Sequence, residues 1–177
     1  MTGKAFSSHI KVVIGESVIA SSAATLSVLA FEIPVWAMFV GWISYFTRGL
    51  NLQQGIINLA CVLIGVMLGI AAAHGLATLT PYLGTYAISA VVFAITIIAL
   101  SLAKAPAVNN LPAIFLGLVA YFALHQPPSM ATFGTLTLAT TLGAIAAFLA
   151  HSLQNHIRHN ATHSPAGEPK WHAAKTK

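Results

Sequence analysis

From Val12 to Leu153 the only charged side chains are Glu16, Glu32, Arg48 and Lys104. Long apolar runs lie between them, and that pattern limits which solvent the chain can fold in. A soluble domain carries about a quarter charged residues. Here 6% of residues are charged and 57% are apolar. Polar groups are too few to cover a surface in water, so the bilayer is the expected solvent. There is room for about six spanning segments and for no separate soluble domain. Cys61 is the single cysteine, so no internal disulfide can form. Lys4 and Lys11 precede an apolar run in the manner of a signal peptide. However, Gly15 and Glu16 interrupt that run, and it continues to Phe31, long enough to span.

Breakers divide the apolar part into six segments, 12–31, 33–46, 55–76, 84–103, 108–124 and 134–153. The breakers are Pro34, Gly49 to Asn51, Thr80-Pro81, Ala105-Pro106 and His125 to Pro128. Residues 1–11 form a short N-terminal segment. Residues 154–177 form a polar, histidine-containing tail, expected to be disordered beyond a short helical start. The second and fifth segments reach only about 21–25 Å as helices, which makes them either short buried helices or re-entrant ones. Basic residues favour the first option. With six crossings and an inside N-terminus, Arg48, Lys104 and the tail all fall on the cytoplasmic side.

The two short segments share an octet. Phe39-Val-Gly41-Trp-Ile-Ser-Tyr45-Phe46 and Phe115-Leu-Gly117-Leu-Val-Ala-Tyr121-Phe122 have the same frame, seventy-six positions apart. Each is followed by a loop and a long helix with a small residue every fourth position. The stripes are Cys61, Gly65, Gly69, Ala73 and then Ala139, Gly143, Ala147, followed by His151. Such stripes let helix backbones approach in lipid. The order long, short, long therefore occurs twice. Three crossings per unit make the second unit inverted, an architecture common in transporters and channels. The expected fold is an all-α polytopic membrane helix bundle, six transmembrane helices as two inverted three-helix repeats.

Candidate path residues follow from this. Glu16 is an intramembrane carboxylate, which is costly in lipid and so a functional candidate. Its position one turn inside the inner end also suits an interface anchor. Phe39, Gly41, Tyr45, Phe46, Phe115, Gly117, Tyr121 and Phe122 are expected to form a constriction with two hydroxyls. The alternative is an aromatic belt that includes Trp36 and Trp42. Asn58, one turn into the third segment, is a candidate for interhelical hydrogen bonding. Asn51 and Asn109-Asn110 read first as helix caps. Glu32, His74 and His125 sit at outer segment ends, either as a mouth cluster or as solvated loop-end residues. His156, His159 and His163, flanked by His151 and His172, could share a helix face that binds metal. With no cysteine and Glu168 as the one carboxylate in the tail, a weakly basic tail near anionic headgroups is the stronger reading, and no metal is assigned.

No enzyme signature is present. There is no aspartate, no HExxH, no GxSxG and no glycine-rich phosphate loop, so neither a catalytic residue nor a cofactor is expected.

The residues Trp36-Ala37, Phe39, Gly41, Tyr45-Phe46 and Gly49, with Phe115, Gly117 and Phe122-Ala123, resemble the YcdZ-like family of small bacterial inner-membrane proteins. The resemblance covers roughly Val12 to Leu153 and leaves the tail outside. It implies a bacterial inner-membrane location and a multi-helix bundle. The family is a domain of unknown function, so the resemblance implies no activity and no site residues. The leading expectation is a channel or facilitator for a small neutral or weakly charged solute, and the alternative is an accessory or scaffold protein. The expected partners are the lipid bilayer, the solute and a second copy packed through Gly65 and Gly69, with no nucleic acid.

Overall fold

The computed structural model describes residues 3–162. It contains six helices: α1 (Gly3–Leu29), α2 (Val35–Tyr45), α3 (Leu52–Leu83), α4 (Ala87–Leu102), α5 (Leu111–Leu124) and α6 (Met130–Thr162). A 3₁₀ turn, Gly84–Tyr86, joins α3 to α4. No strand occurs among the described residues.

Local sequence sets the helix ends. The Asn51 side chain accepts the Gln54 N–H at 2.8 Å and caps α3. Asn110 does the same for Ala113 at the start of α5. Pro112 occupies the first turn of α5, where no N–H is needed. Pro34 precedes α2 and keeps Ile33 out of the helix. Two ends differ from expectation. α3 runs through Pro81 to Leu83, because the proline falls in an exposed last turn where a missing hydrogen bond costs little. α6 continues past Leu153 to Thr162, since no breaker intervenes before Pro165. Residues 163–177, with His163 and His172, lie outside the described residues.

Three stretches are long and apolar enough to cross a membrane: His9–Leu29, Leu52–Leu102 and Met130–His159. The middle one is a hairpin and not a rod. As one helix its 51 residues would extend about 75 Å. Instead Ala99 packs with Cys61 and Val62, and Val91 lies against Gly75. The chain reverses at Gly84, whose φ of 52° favours glycine. α2 and α5 are shorter apolar helices of 11 and 14 residues.

Each short helix packs on a long helix distant in sequence. α2 lies on α6, and α5 lies on α3. A Cβ on Gly41 would overlap the Thr140 carbonyl, and one on Gly143 would overlap the Met38 carbonyl. In the second pair, Gly65 faces the Ile114 carbonyl and Gly117 faces the Val62 carbonyl in the same way. These are backbone-to-backbone contacts. In lipid, where no hydrophobic force joins helices, such close packing holds them together. α2 runs parallel to α6: Met38 and Trp42 meet Gly143, and Tyr45 meets Phe148 and His151. α5 likewise runs parallel to α3. α1 is antiparallel to α6, with Gly15 against Leu153 and Ala23 near Ala146. The α2–α3 and α4–α5 connections therefore share one end of the bundle, the Arg48 end. The α1–α2 and α5–α6 connections and the α3–α4 turn share the other, the Gly84 end.

The Gly65/Gly69 stripe corrects one expectation. α5 fills it from within the chain, and the Tyr121 Cβ would lie 2.7 Å from a Cβ on Gly69. No room is left there for a second copy. Ala147 is fully buried in the corresponding stripe of α6.

Candidate functional site

Polar side chains converge at the Arg48 end. α2 stops at Tyr45, and the chain leaves the helix with carbonyls that need donors. Asn58 of α3 is fully buried, and its Nδ2 donates to the Tyr45 carbonyl at 3.3 Å and the Arg48 carbonyl at 2.8 Å. Asn110 Nδ2 donates to Asn58 Oδ1 and to Thr47 Oγ1, each at 2.6 Å. Arg48 donates through Nε to Gln54 Oε1 at 3.0 Å and through Nη1 to Asn109 Oδ1. The α2–α3 and α4–α5 connections are thus tied to each other and to α3 by amides. Among the described residues no buried side-chain nitrogen or oxygen lacks a partner.

A second chain of bonds joins α2 to α6. The Tyr45 hydroxyl lies 3.0 Å from His151 Nδ1, and Asn155 Nδ2 lies 3.1 Å from His151 Nε2. With the Asn155 amide donating, the neutral ring carries its proton on Nδ1 and donates to the tyrosine oxygen. The Tyr45 ring rests over Gly55, where a Cβ would be 2.9 Å away, and edge-on to Phe148.

α3 and α6 cross, and the crossing leaves a wedge at each end. The wedge at the Arg48 end holds about 100 Å³ and is lined by Tyr45, Gly55, Leu59, Thr141, Ala144 and Phe148 among others. The wedge at the Gly84 end holds about 390 Å³, with Met67, Ile70, Ala71, His74, Ser129 and Phe133 on its walls. A third cavity of about 400 Å³ lies between the α1–α2 and α5–α6 connections, beside Glu32, Gln126 and Thr135.

The residues singled out from sequence are distributed as follows. Tyr45 and Tyr121 are both buried but do not meet. Tyr45 stands over Gly55 and Tyr121 over Gly69, fourteen residues or about 21 Å apart along α3. The expected pair of facing hydroxyls is therefore not formed. Phe39 and Phe46 are exposed, as an outer aromatic surface would be, while Phe115 and Phe122, also part-exposed, line an apolar cavity of about 330 Å³ with Ala72, Val91 and Ile95 of α3 and α4. Gly41 and Gly117 sit in the helix contacts already described. Glu16 is half-buried on α1, while Ala23 and Ser27 on that helix are buried. Ser17, Ser21 and Thr25 are exposed and bond back to their own helix. Glu32 and His74 line different cavities and form no common cluster. Among the described residues no three His, Cys, Asp or Glu side chains are grouped to hold a metal.

Asn58 bonds between helices as its position suggests. Its partner Asn110 and the Tyr45–His151 pair were not anticipated. One signal for His151 was present: it continues the Ala139, Gly143, Ala147 stripe by four residues and so faces α2.

Apolar helices of membrane length, packed through glycine and tied by buried amides, define a helical membrane protein. Residues 13–151 match the family described as "Protein of unknown function (DUF1097)", and the chain belongs to that family. No curated protein and no solved structure matches it.

Proposed function

We propose that the chain crosses a bacterial inner membrane six times as two inverted three-helix units, and that it is a facilitator for a small neutral or weakly charged solute, not an enzyme. The observation that carries this reading is the exchange of helix partners. Gly41 on Thr140 and Gly143 on Met38 correspond, octet for octet and stripe for stripe, to Gly117 on Val62 and Gly65 on Ile114. The contact recurs between swapped units, as a two-fold axis in the membrane plane requires. Successive helices alternate in direction, which supports six crossings. Arg48 and Lys104 sit at the end where α1 begins and α6 finishes, which supports cytoplasmic termini. α2 and α5 are short for a bilayer, but non-helical backbone is tolerated at depth where protein satisfies it. Asn58 does this for Tyr45 and Arg48, and Ser27 Oγ for the Ile33 carbonyl at 2.9 Å.

The wedge walls are mainly apolar and carry only Tyr45 and Thr141 at one end and His74 and Ser129 at the other, a sparse set of hydroxyl and imidazole groups that suits small uncharged or weakly ionised solutes better than ions. Reporter fusions after Arg48 and after Lys104 are expected to report the cytoplasm, and a periplasmic signal at either site would refute six crossings. Liposomes containing the protein are expected to swell faster than empty ones in at least one of urea, glycerol, formate or ammonium. Swelling equal to empty vesicles in all four would replace the facilitator reading with that of a scaffold.

A further inference from the structure

The two wedges are related by the same correspondence as the helices. Leu52 and Gly55 at the Arg48 end match Met130 and Phe133 at the Gly84 end, and Phe148 matches Ile70, all at one constant spacing along the chain. Two open grooves that share four pairs of matching positions thus differ in size, about 100 Å³ at one end and about 390 Å³ at the other. A symmetric scaffold holding unequal cavities is in one of two arrangements, and the alternative is the same packing with the ends exchanged.

The sequence differs at the positions that set which wedge is closed. His151, bonded to Tyr45, has Ala73 as its counterpart, so Tyr121 has no equivalent histidine on α3. Gly55 lets the Tyr45 ring settle over the narrow wedge. Phe133, at the matching place, is half-buried on the wall of the wide one and packs against the cluster around Tyr121, a position from which it can act as a strut between α3 and α6.

We infer that the protein exposes its two wedges alternately, and that the Tyr45–His151–Asn155 chain is the latch that holds the Arg48-end wedge closed. This rests on the inverted-unit reading above and assigns it a carrier's motion, not a standing pore. α2 moves against α6 only after the hydroxyl-to-imidazole bond breaks. The wide wedge then closes as the narrow one opens, because both are bounded by the same crossing of α3 and α6. The face that Ala144 and Thr141 present becomes wet while the face of Ala71 dries.

The test needs no solute. Cys61 is fully buried and gives a low background for thiol labelling. Ala144→Cys reports the narrow wedge and Ala71→Cys the wide one, each by its reaction with a membrane-impermeant maleimide in vesicles of both orientations. In the parent chain, Ala71→Cys is expected to react and Ala144→Cys to be protected. Adding Tyr45→Phe, which removes only the hydroxyl, is expected to speed labelling of Ala144→Cys about fivefold, the population shift carried by one net hydrogen bond. Labelling of Ala71→Cys is expected to slow in the same protein. Unchanged rates at both positions would overturn the inference, and so would a rise at both, which signals general loosening. Phe133→Gly supplies a second route: with the strut gone, Ala71→Cys is expected to become protected and Ala144→Cys reactive. If solute flux is found in liposomes while labelling never reciprocates, the facilitator reading stands and the alternation falls. Reciprocal labelling without flux of any tried solute has the opposite meaning.

Discussion

Gly143→Ala is expected to leave little folded protein. The added methyl would overlap the Met38 carbonyl and press on the Trp42 N–H, both of them backbone in the middle of α2. Backbone cannot rotate away as a side-chain tip can, so α2 and α6 must separate. Overpacking of a well-fitted interior typically costs about 1–3 kcal/mol, and a clash with backbone belongs at or above the upper figure. Separation also opens the contact at Gly41, one turn along, so the loss is shared by the whole interface. Gly65→Ala and Gly117→Ala are expected to fail for the same reason at the α3–α5 contact. Gly134→Ala is the control, since nothing lies within 4 Å of a Cβ there. Alanine is preferred to glycine within a helix by about 1 kcal/mol, so that variant should be as stable as the parent or slightly more so. Thermal unfolding of the detergent-solubilised protein, followed by size-exclusion chromatography, separates these outcomes. A Gly143→Ala protein that elutes and melts like the parent would show that the backbones are not in contact.

Asn58→Leu is expected to cost about 2–6 kcal/mol, because it leaves the buried Tyr45 carbonyl and the part-buried Arg48 carbonyl without that donor at about 1–3 kcal/mol each. The replacement is apolar and similar in size, and Leu136 occupies the matching place on α6, fully buried. Loss of volume is therefore not the cause. The cost arises because the Tyr45 carbonyl, freed where α2 ends, is buried away from water, and the Arg48 carbonyl is only partly open to it. The Asn110 amide nitrogen would keep only its bond to Thr47. A double-mutant cycle with Asn110→Ala should give a coupling of at least about 1 kcal/mol, since the two side chains bond directly. Asn51→Ala, which removes an exposed cap, is expected to cost about 1 kcal/mol or less. Equal melting temperatures for Asn58→Leu and Asn51→Ala would mean that the buried amide network adds nothing beyond a surface cap.

These residues also mark what could be read from sequence. The helices themselves were legible, because apolar runs and their breakers report solvent and backbone directly. The glycine stripes were legible as surfaces for close approach, but their occupant was not. Gly65 and Gly69 present the same pattern to a second copy as to α5. Only the matching Gly117, which brings the α5 backbone into the groove, decides for the latter. The octets were legible as a pair, yet their tyrosines were placed together when they lie over Gly55 and Gly69. α2 and α5 run in opposite directions, along α6 and α3 respectively, and so carry their tyrosines to opposite ends of the bundle. Proline was given too much weight at Pro81, where an exposed final turn absorbs it. The Tyr45–His151 bond spans 106 positions, a distance over which no local pattern carries information. Asn110 was legible as a cap and fills that role, but its amide nitrogen works for Asn58 at the same time.

The exchange of partners between short and long helices has a bearing on how the chain is made. α2 leaves the ribosome early, yet the surface it needs belongs to α6, the last helix synthesised. Until then an 11-residue helix lacks the glycine-lined backbone contact, at Thr140 and Gly143, that seats it along its length. α5 meets α3 with less delay, so the second short helix can dock on arrival. Assembly therefore finishes at the C-terminal helix, and a nascent chain that stops before Gly143 would carry α2 as an unseated element. Such a chain offers membrane quality control a clear mark of incompleteness.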